Sequence, residues 1–402
     1  MRTFWRLLAC AGMVAGLAGC AAQTTTTPKV TGTHLTIYVS APSSSAGAQQ
    51  SDVLDAEELA FAHLGHSIGR YRLSLRVLHG EVSDNARTAI EDSSAIAYIG
   101  EVEPGASAGT IGITNAEDLL QVSPTDTALE LTRASSAVSG APSVYYESGG
   151  TYGRTFARVV PTTTSEARAQ VAEMRSLGVH KVYISDDGSP YGRALAAALR
   201  QDVSAPLTAV EGSASASSVS GLASSGADAV FFAGTNAHQA TSLFNAVATR
   251  QVGRTCAAHT RCGPALLAPS ALYSSSFVAG LSPAARSLLY ISSPGFLPRD
   301  MPAAGRSQFL SRFEATYHHS PAPAAIFGYE AISAVVAVLN QAGASANQRS
   351  VVVKDFMHLH RSSSVIGSYS INAYGNPTTA PFVFSRVQGG ALVPYRFEQA
   401  TG

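Results

Sequence analysis

The sequence has little charge and little that marks a catalytic centre. Only 13% of its 402 residues are charged, and 27 basic residues balance 27 acidic residues to a formal net charge of +0. Nucleic-acid binding needs clustered basic residues, so this composition argues against a nucleic-acid partner. A phosphate-binding loop is also lacking, which argues against nucleotide chemistry. We therefore expect neither enzymatic activity nor a cofactor.

Cysteine is also scarce, with four residues in the whole sequence. Cys256 and Cys262 stand apart from the other two, which lie near the N-terminus. In a protein outside the cytoplasm such a pair is expected to form a disulfide. The alternative is a zinc site that adds His259, because two Cys and one His supply three ligands. We favour the disulfide and predict no metal site, since no second ligand pair lies nearby.

The N-terminus has the pattern of a secretory leader. Arg2 and Arg6 precede an apolar run, Leu7 to Ala18, that is too short to span a bilayer comfortably. The run ends in Leu-Ala-Gly-Cys20, which resembles the processing site of bacterial lipoproteins. That resemblance implies a signal peptide at residues 1–19 and a lipid on Cys20. Residues 20–33, rich in Thr, are typical of a flexible tether.

The rest of the chain is apolar enough for a core but spreads its apolar residues over short segments. Hydrophobic residues make up 46% of the sequence, and the length allows two domains. The apolar stretch Ala331 to Leu339 is too short to cross a bilayer. We therefore expect membrane contact through the lipid anchor only, on the extracytoplasmic side of the cell membrane.

Strand-like and helix-like segments alternate along the chain, and the pattern restarts after Pro161. Expected strands of the first half are 35–39, 71–78, 95–99 and 119–122, and those of the second half are 180–184, 207–210, 228–232, 265–268 and 288–291. Such alternation predicts right-handed βαβ units with parallel sheets. The expected fold class is α/β, with two doubly wound parallel-sheet lobes. The segment Pro381 to Phe397 indicates a hairpin around Gly389-Gly390.

Loops that follow the expected strands are rich in Ser, Thr, Gly and Ala. In open parallel sheets, ligands bind outside the carboxyl ends of the strands. These loops offer hydroxyl groups, and N–H groups at helix N-termini, which suit a small polar molecule. They contain no obvious nucleophile paired with a His, which favours binding over catalysis.

Several short sequence segments, taken in their order along the chain, resemble segments of the branched-chain amino acid (Leu/Ile/Val) binding proteins of bacterial ABC importers. They are Ala97-Tyr-Ile-Gly100, Leu120-Gln-Val-Ser-Pro124, Val182-Tyr-Ile-Ser-Asp-Asp-Gly-Ser-Pro-Tyr-Gly192, Ala227-Asp-Ala-Val-Phe-Phe232 and Phe327-Gly-Tyr-Glu-Ala331. The resemblance implies a type I periplasmic-binding fold whose lobes are joined by three hinge crossings. We place these near Pro161, Pro298 and Arg361. Lobe one is then 30–160 plus 298–361, and lobe two is 161–297 plus 362–402.

The same resemblance implies which residues contact the ligand. They are the loop and helix residues Gly105, Ala106, Ser123, Thr125, Thr127, Tyr191, Gly234, Thr235, Asn236 and Ser270. Two departures weaken the usual amino-acid site: Pro104 stands where the family has a Ser, and the loop 269–273 has no acid for an ammonium group. Asp126 is unusual and is expected to contact a cationic group. We therefore expect branched-chain amino acids to bind weakly.

The resemblance favours a monomeric receptor that captures a small polar solute, an amino acid or a relative, and delivers it to ABC permease subunits. The alternative is a sensing module of the same fold that reports its ligand to a membrane partner without transport. The sequence of this chain does not separate the two uses.

Overall fold

Strands and helices alternate along the chain as the sequence pattern predicts. The computed structural model describes residues 29–41, 48–146, 153–212, 219–250 and 263–400. Within them the strands are β1 His34–Ser40, β2 Ser67–Ile68, β3 Tyr71–Leu78, β4 Ala95–Ile99, β5 Leu120–Ser123, β6 Phe156–Arg158, β7 Lys181–Asp186, β8 Thr208–Glu211, β9 Ala229–Ala233, β10 Ala265–Ala268, β11 Leu289–Pro294, β12 His360–Arg361, β13 Tyr369–Ser370, β14 Pro381–Gln388 and β15 Ala391–Gln399. The helices are α1 Ala48–Leu64, α2 Val82–Glu91, α3 Ile111–Ala116, α4 Thr163–Ser176, α5 Pro190–Asp202, α6 Val219–Ser225, α7 Ala237–Thr249, α8 Ser275–Gly280, α9 Pro283–Leu288, α10 Ser311–Tyr317, α11 Ala325–Ala342 and α12 Arg349–Met357.

The first lobe is built on a sheet of order β2-β3-β1-β4-β5-β6. Its strands run parallel, apart from the short β2, which pairs antiparallel with β3. Successive side chains of β1 point to opposite faces, as the two-residue period of a strand requires. Ile37 and Val39 pack into the core formed with α1 and α11, whereas Tyr38 packs against α2 beside Tyr98. Helices therefore cover both faces of the sheet.

The second lobe is built on a sheet of order β15-β14-β11-β10-β9-β7-β8. Strands β7 to β11 are parallel, and β14 pairs antiparallel with β11 and β15. The predicted C-terminal hairpin is confirmed, since β14 and β15 meet at Gly389-Gly390. The two doubly wound parallel lobes predicted from the sequence are likewise confirmed.

Helix α11 is the most apolar long helix of the described chain. The segment Ala325–Ser345 is long and apolar enough to cross a membrane, but 78% of its apolar window is buried inside the protein. It packs against α1 in the core of the first lobe. The helix is longer than the apolar stretch singled out in the sequence, and its hydrophobicity is explained by burial on all sides.

The chain passes between the lobes at three places. β6 lies in the first sheet and α4 follows in the second lobe, and β11 lies in the second sheet before the chain returns at Gly295. Gly295 has a φ of +143°, and a Cβ there would collide with the carbonyl oxygen of Pro323. The chain thus passes between the two sheets after β6 and again after β11.

The third crossing lies later than the sequence analysis placed it. Tyr369 and Ile371 are buried in the core of the first lobe, and the Arg158 N–H of β6 donates to the Gly375 carbonyl at 2.9 Å. Residues 362–376 therefore belong with the first lobe rather than with the second. The reason is that β12 and β13 form a small hairpin that packs under α11 before the chain enters β14.

The lobes contact one another directly. Ile111, Ala128 and Leu131 of the first lobe belong to the same buried cluster as Tyr191 and Leu195 of the second. The Arg193 guanidinium also donates to the Ala137 carbonyl at 2.9 Å. The two lobes therefore pack against each other along one side of the crevice.

Candidate functional site

A cavity of about 200 Å³ lies between the two lobes, at the carboxyl ends of their strands. The first lobe contributes the wall residues Gln50, Val53, Val102, Pro104, Thr125 and Ala324. The second lobe and the crossing contribute Ser270, Ala271, Tyr273, Ser274, Ser276 and Pro294. This is the place where open parallel sheets bind ligands. Its walls carry hydroxyl, amide and apolar groups, and no charged side chain lines it within the described residues.

Two of the residues expected to bind ligand line this cavity, Thr125 and Ser270. The Thr125 hydroxyl donates to the Val102 carbonyl at 2.7 Å, so its oxygen remains able to accept a hydrogen bond. Gln50, Ser274 and Ser276 line the cavity as well but were not singled out in the sequence. Gln50 lies near the start of α1, on the side of the helix that faces the cleft.

The side chain of Asp126 binds the backbone of the first-lobe loop that contains Gly105 and Ser107. Its carboxylate accepts hydrogen bonds from the N–H groups of Gly105 at 2.7 Å, Ser107 at 2.9 Å and Ala128 at 3.1 Å. The Ala106 N–H donates to the Glu103 carbonyl at 3.1 Å. The loop amides expected to bind ligand are thus already engaged within the protein.

The position of Asp126 also differs from the expectation that it meets a cationic ligand. Its side chain is fully buried, and burial raises its pKa, while the nearby Arg158 guanidinium and the three loop amides act to lower it. Arg158 is itself fully buried and donates to the carbonyls of Asp126 at 2.6 Å and Ala128 at 2.8 Å. Asp126 therefore fixes the shape of the loop instead of facing the cavity.

Glu166 has the corresponding role in the second lobe. Its carboxylate accepts hydrogen bonds from the Ser270 N–H at 2.6 Å and hydroxyl at 3.0 Å, from the Ser292 hydroxyl at 2.7 Å and from the Tyr191 hydroxyl at 3.0 Å. It is fully buried, and burial raises its pKa. Glu166 lies in the first turn of α4 and not in a loop that follows a strand, so sequence reasoning missed it.

Tyr191, Thr127 and Ser123 are buried in the walls and do not line the described part of the cavity. Tyr191 is 2% exposed and Thr127 is 1% exposed. The Ser123 hydroxyl donates to the Glu101 carbonyl at 2.6 Å and accepts from the Asp126 N–H at 2.8 Å. These residues hold the loops that form the cavity.

The loop Gly234 to Asn236 is organised by Asp187. The Asp187 carboxylate accepts from the N–H groups of Thr235 at 2.8 Å and Asn236 at 3.1 Å. Burial acts to raise the pKa of Asp187, but these hydrogen bonds, with those from Ser189, lower it overall. Thr235 and Asn236 are exposed and lie outside the cavity wall.

Glu101 is a buried acid directly beneath the first-lobe loop. It is 2% exposed and accepts a hydrogen bond from the Tyr98 hydroxyl at 2.7 Å. Burial, with a smaller contribution from Asp126, raises its pKa to about 7. Glu103, two residues on, is exposed and accepts from the Gln50 side chain at 3.3 Å. The two acids therefore point in different directions.

The segment Gly105 to Gly109 has the Gly-x-Ser-x-Gly spacing found at the nucleophile turn of many hydrolases. Its serine, Ser107, is fully buried, and its hydroxyl oxygen accepts from the Glu101 N–H at 3.2 Å. An attacking hydroxyl needs exposure and a general base, and within the part of the chain that the structure describes Ser107 has neither. The segment forms a short helical turn that shapes the loop.

One grouping of metal-ligand side chains occurs among the described residues. Asp52, Asp55 and His319 bring ligand atoms within 4.8 Å of one another. The Asp52 carboxylate already accepts from the Ala322 N–H at 2.7 Å. The grouping joins α1 to the segment after α10, and it was not foreseen because His319 lies far in sequence from Asp52 and Asp55.

The family model described as periplasmic binding protein matches residues 80–391. The chain belongs to the periplasmic binding protein family. No curated protein matches the sequence. Among solved structures, this periplasmic binding protein is similar to a leucine-binding protein of Thermotoga maritima, with a TM-score of 0.71 and 17% identity over 90% of this chain and 98% of the other.

Two further solved structures show the same fold. One is a branched-chain amino acid transporter substrate-binding protein of Streptococcus pneumoniae in complex with isoleucine, with a TM-score of 0.70 and 15% identity over 92% of this chain and 100% of the other. The other is a solute-binding protein of an ABC transporter from Rhodopseudomonas palustris in complex with 3,4-dihydroxybenzoic acid, with a TM-score of 0.64 and 14% identity over 92% and 99%. These likenesses show that the periplasmic binding protein has the type I fold predicted from the sequence.

Proposed function

We propose that this protein captures a small solute between its lobes outside the cytoplasm and delivers it to the permease of an ABC importer. The main support for this proposal is the cavity of about 200 Å³ that both lobes line at the carboxyl ends of their strands. A ligand that contacts both walls stabilises the closed arrangement by its differential affinity for that state. A receptor of this kind needs no catalytic group.

The polarity of the cavity supports an uncharged head group on the ligand. Thr125, Ser270, Ser276 and Gln50 offer hydroxyl and amide groups, while Asp126 and Glu166 occupy the neighbouring N–H groups. A carboxylate placed here would find no free loop amide at Gly105 or Ser107 and would lie near two buried acids. Like charges at short range in a buried site are strongly unfavourable.

The remaining parts of the proposal concern the membrane anchor, the oligomeric state and the disulfide. We propose that Cys20 carries the lipid anchor, that the receptor is a monomer, and that Cys256 and Cys262 form a disulfide bond. All three cysteines lie outside the described residues. The support is the leader pattern for the anchor and the compartment for the disulfide.

Native mass spectrometry of the protein released from cells tests the binding site. We expect a bound small-molecule mass in the wild type and its loss in Ala271→Trp, because the indole fills the cavity from its second-lobe wall. Ala209→Trp is the matched control, since Ala209 is exposed on β8, at the opposite edge of the sheet from β14 and β15. Retention of the same mass in Ala271→Trp would place the ligand elsewhere.

A further inference from the structure

A second, larger cavity of about 520 Å³ lies beside the crossings between the lobes. Its floor is apolar and largely buried: Phe296 is 8% exposed, Leu297 and Met301 are each 6% exposed, and Phe309 is 1% exposed. Leu392 and Pro394 of β15 form the wall from the second lobe. An apolar concavity of this size, lined by both lobes, has the character of a ligand pocket rather than of ordinary surface.

The second cavity adjoins the cleft cavity. Tyr273 and Ser274 line both of them. On the first-lobe side, α1 contributes Asp52 to one cavity and the adjacent Val53 to the other. The segment before α11 likewise lines both, ending at Ala324 in the cleft. The polar cavity and the apolar cavity therefore lie side by side, with Tyr273 and Ser274 at their common boundary.

The charges around the two compartments restrict the ligand further. The polar rim of the apolar cavity includes Asp52, which is 6% exposed, the exposed Glu314, and His319, whose Nε2 lies 3.9 Å from the Asp52 carboxylate. At the cleft end, the amides of Gly105 and Ser107 are engaged by Asp126. A fatty acid would therefore meet acids at the rim and find no free amide of this loop in the cleft.

We propose that the two cavities form one site for an uncharged amphipathic solute. Its polar end contacts the hydroxyl groups near Thr125 and Ser270, and its alkyl or aromatic body packs on Phe296 and Met301. This inference rests on the proposed function and assigns the class of solute. Burial of each further methylene in the apolar compartment strengthens binding by about fourfold until the compartment is filled.

Displacement of the uncharged dye N-phenyl-1-naphthylamine by primary amides of increasing length tests the proposal on the mature protein. We expect saturable dye fluorescence, and displacement that strengthens about fourfold per methylene from butanamide to octanamide. Ala391→Trp places an indole on the exposed rim of the apolar cavity and should abolish both effects. Ala209→Trp should change neither, and thermal unfolding should show both variants folded.

An affinity that does not depend on chain length in the wild type would overturn the proposal. So would dye binding that is equal in Ala391→Trp and Ala209→Trp. Either result leaves the proposed function standing if Ala271→Trp still removes the mass that co-purifies from cells. Conversely, retention of that mass in Ala271→Trp refutes the cleft as the binding site, whatever the dye experiment shows.

Discussion

Replacement of Glu101 by Gln gives a direct measure of a buried charge beneath the binding cleft. Glu101 is 2% exposed, and burial raises its pKa from the ordinary 4.5 to about 7. Because the native state binds the proton more tightly than the unfolded state, its contribution to stability is fully present below pH 4.5. That contribution is lost as the pH rises through about 7.

The size of the effect follows from the shift in pKa. Each pKa unit corresponds to about 1.4 kcal/mol, so the shift of Glu101 corresponds to about 3 kcal/mol of stability lost on ionisation. Gln stays neutral and its carbonyl oxygen can still accept the hydrogen bond from the Tyr98 hydroxyl. We therefore expect Glu101→Gln to match the wild type near pH 4.5 and to be more stable above pH 7.

Urea unfolding of both proteins across pH 4.5 to 8.5 measures the difference curve. Other buried acids, such as Asp126 and Glu166, titrate in both proteins and cancel to first order in that difference. Glu103→Gln is the matched control because Glu103 lies two residues away and is exposed, and its stability should change by under about 0.5 kcal/mol. A flat difference curve, or one in which Glu101→Gln loses stability as the pH rises, would refute the reasoning.

Four further outcomes are expected. Gly295→Ala should lower the free energy of unfolding by about 2 kcal/mol or more in chemical denaturation, because a Cβ at this crossing collides with backbone and the φ of +143° is unfavourable. Thr125→Val should weaken binding of the co-purifying solute about tenfold in calorimetry, since one hydrogen-bonding group in the cavity is lost; unchanged affinity would remove Thr125 from the site. Cys20→Ser should release the protein from membranes or leave the precursor unprocessed, and a processed, membrane-bound variant would contradict the lipid anchor. Thiol labelling of the denatured, unreduced protein should find neither Cys256 nor Cys262 free, whereas stoichiometric zinc would favour the metal site.

Much of the fold followed from local pattern. Buried strands such as Ala95–Ile99 are short apolar runs between helical segments, and that alternation leaves few topologies other than parallel sheets. The C-terminal hairpin followed from Gly389-Gly390 between two apolar stretches. The third crossing was misplaced because β12 and β13 are only two residues long, and so short a hairpin leaves no periodic signal.

The candidate site was predictable in part. The loops at strand ends were found because parallel strands bring their carboxyl ends to one edge, and Thr125 and Ser270 do line the cavity. Which loop groups remain free for a ligand was not predictable. Gly105 and Asp126 lie on different loops, and Glu166 and Ser270 lie far apart in the chain, so their hydrogen bonds exist only after packing.

The sequence by itself determined the class of the molecule: two α/β lobes, little charge, and loops suited to binding. These properties depend on residue periodicity and composition, which act over a few residues at a time. The tertiary structure decided the polarity and extent of the site. Internal carboxylates accept hydrogen bonds from the loop amides, and packing of the two lobes places Tyr273 in the walls of both a polar and an apolar cavity. Such relations depend on distances between segments remote in the chain, which no local pattern encodes.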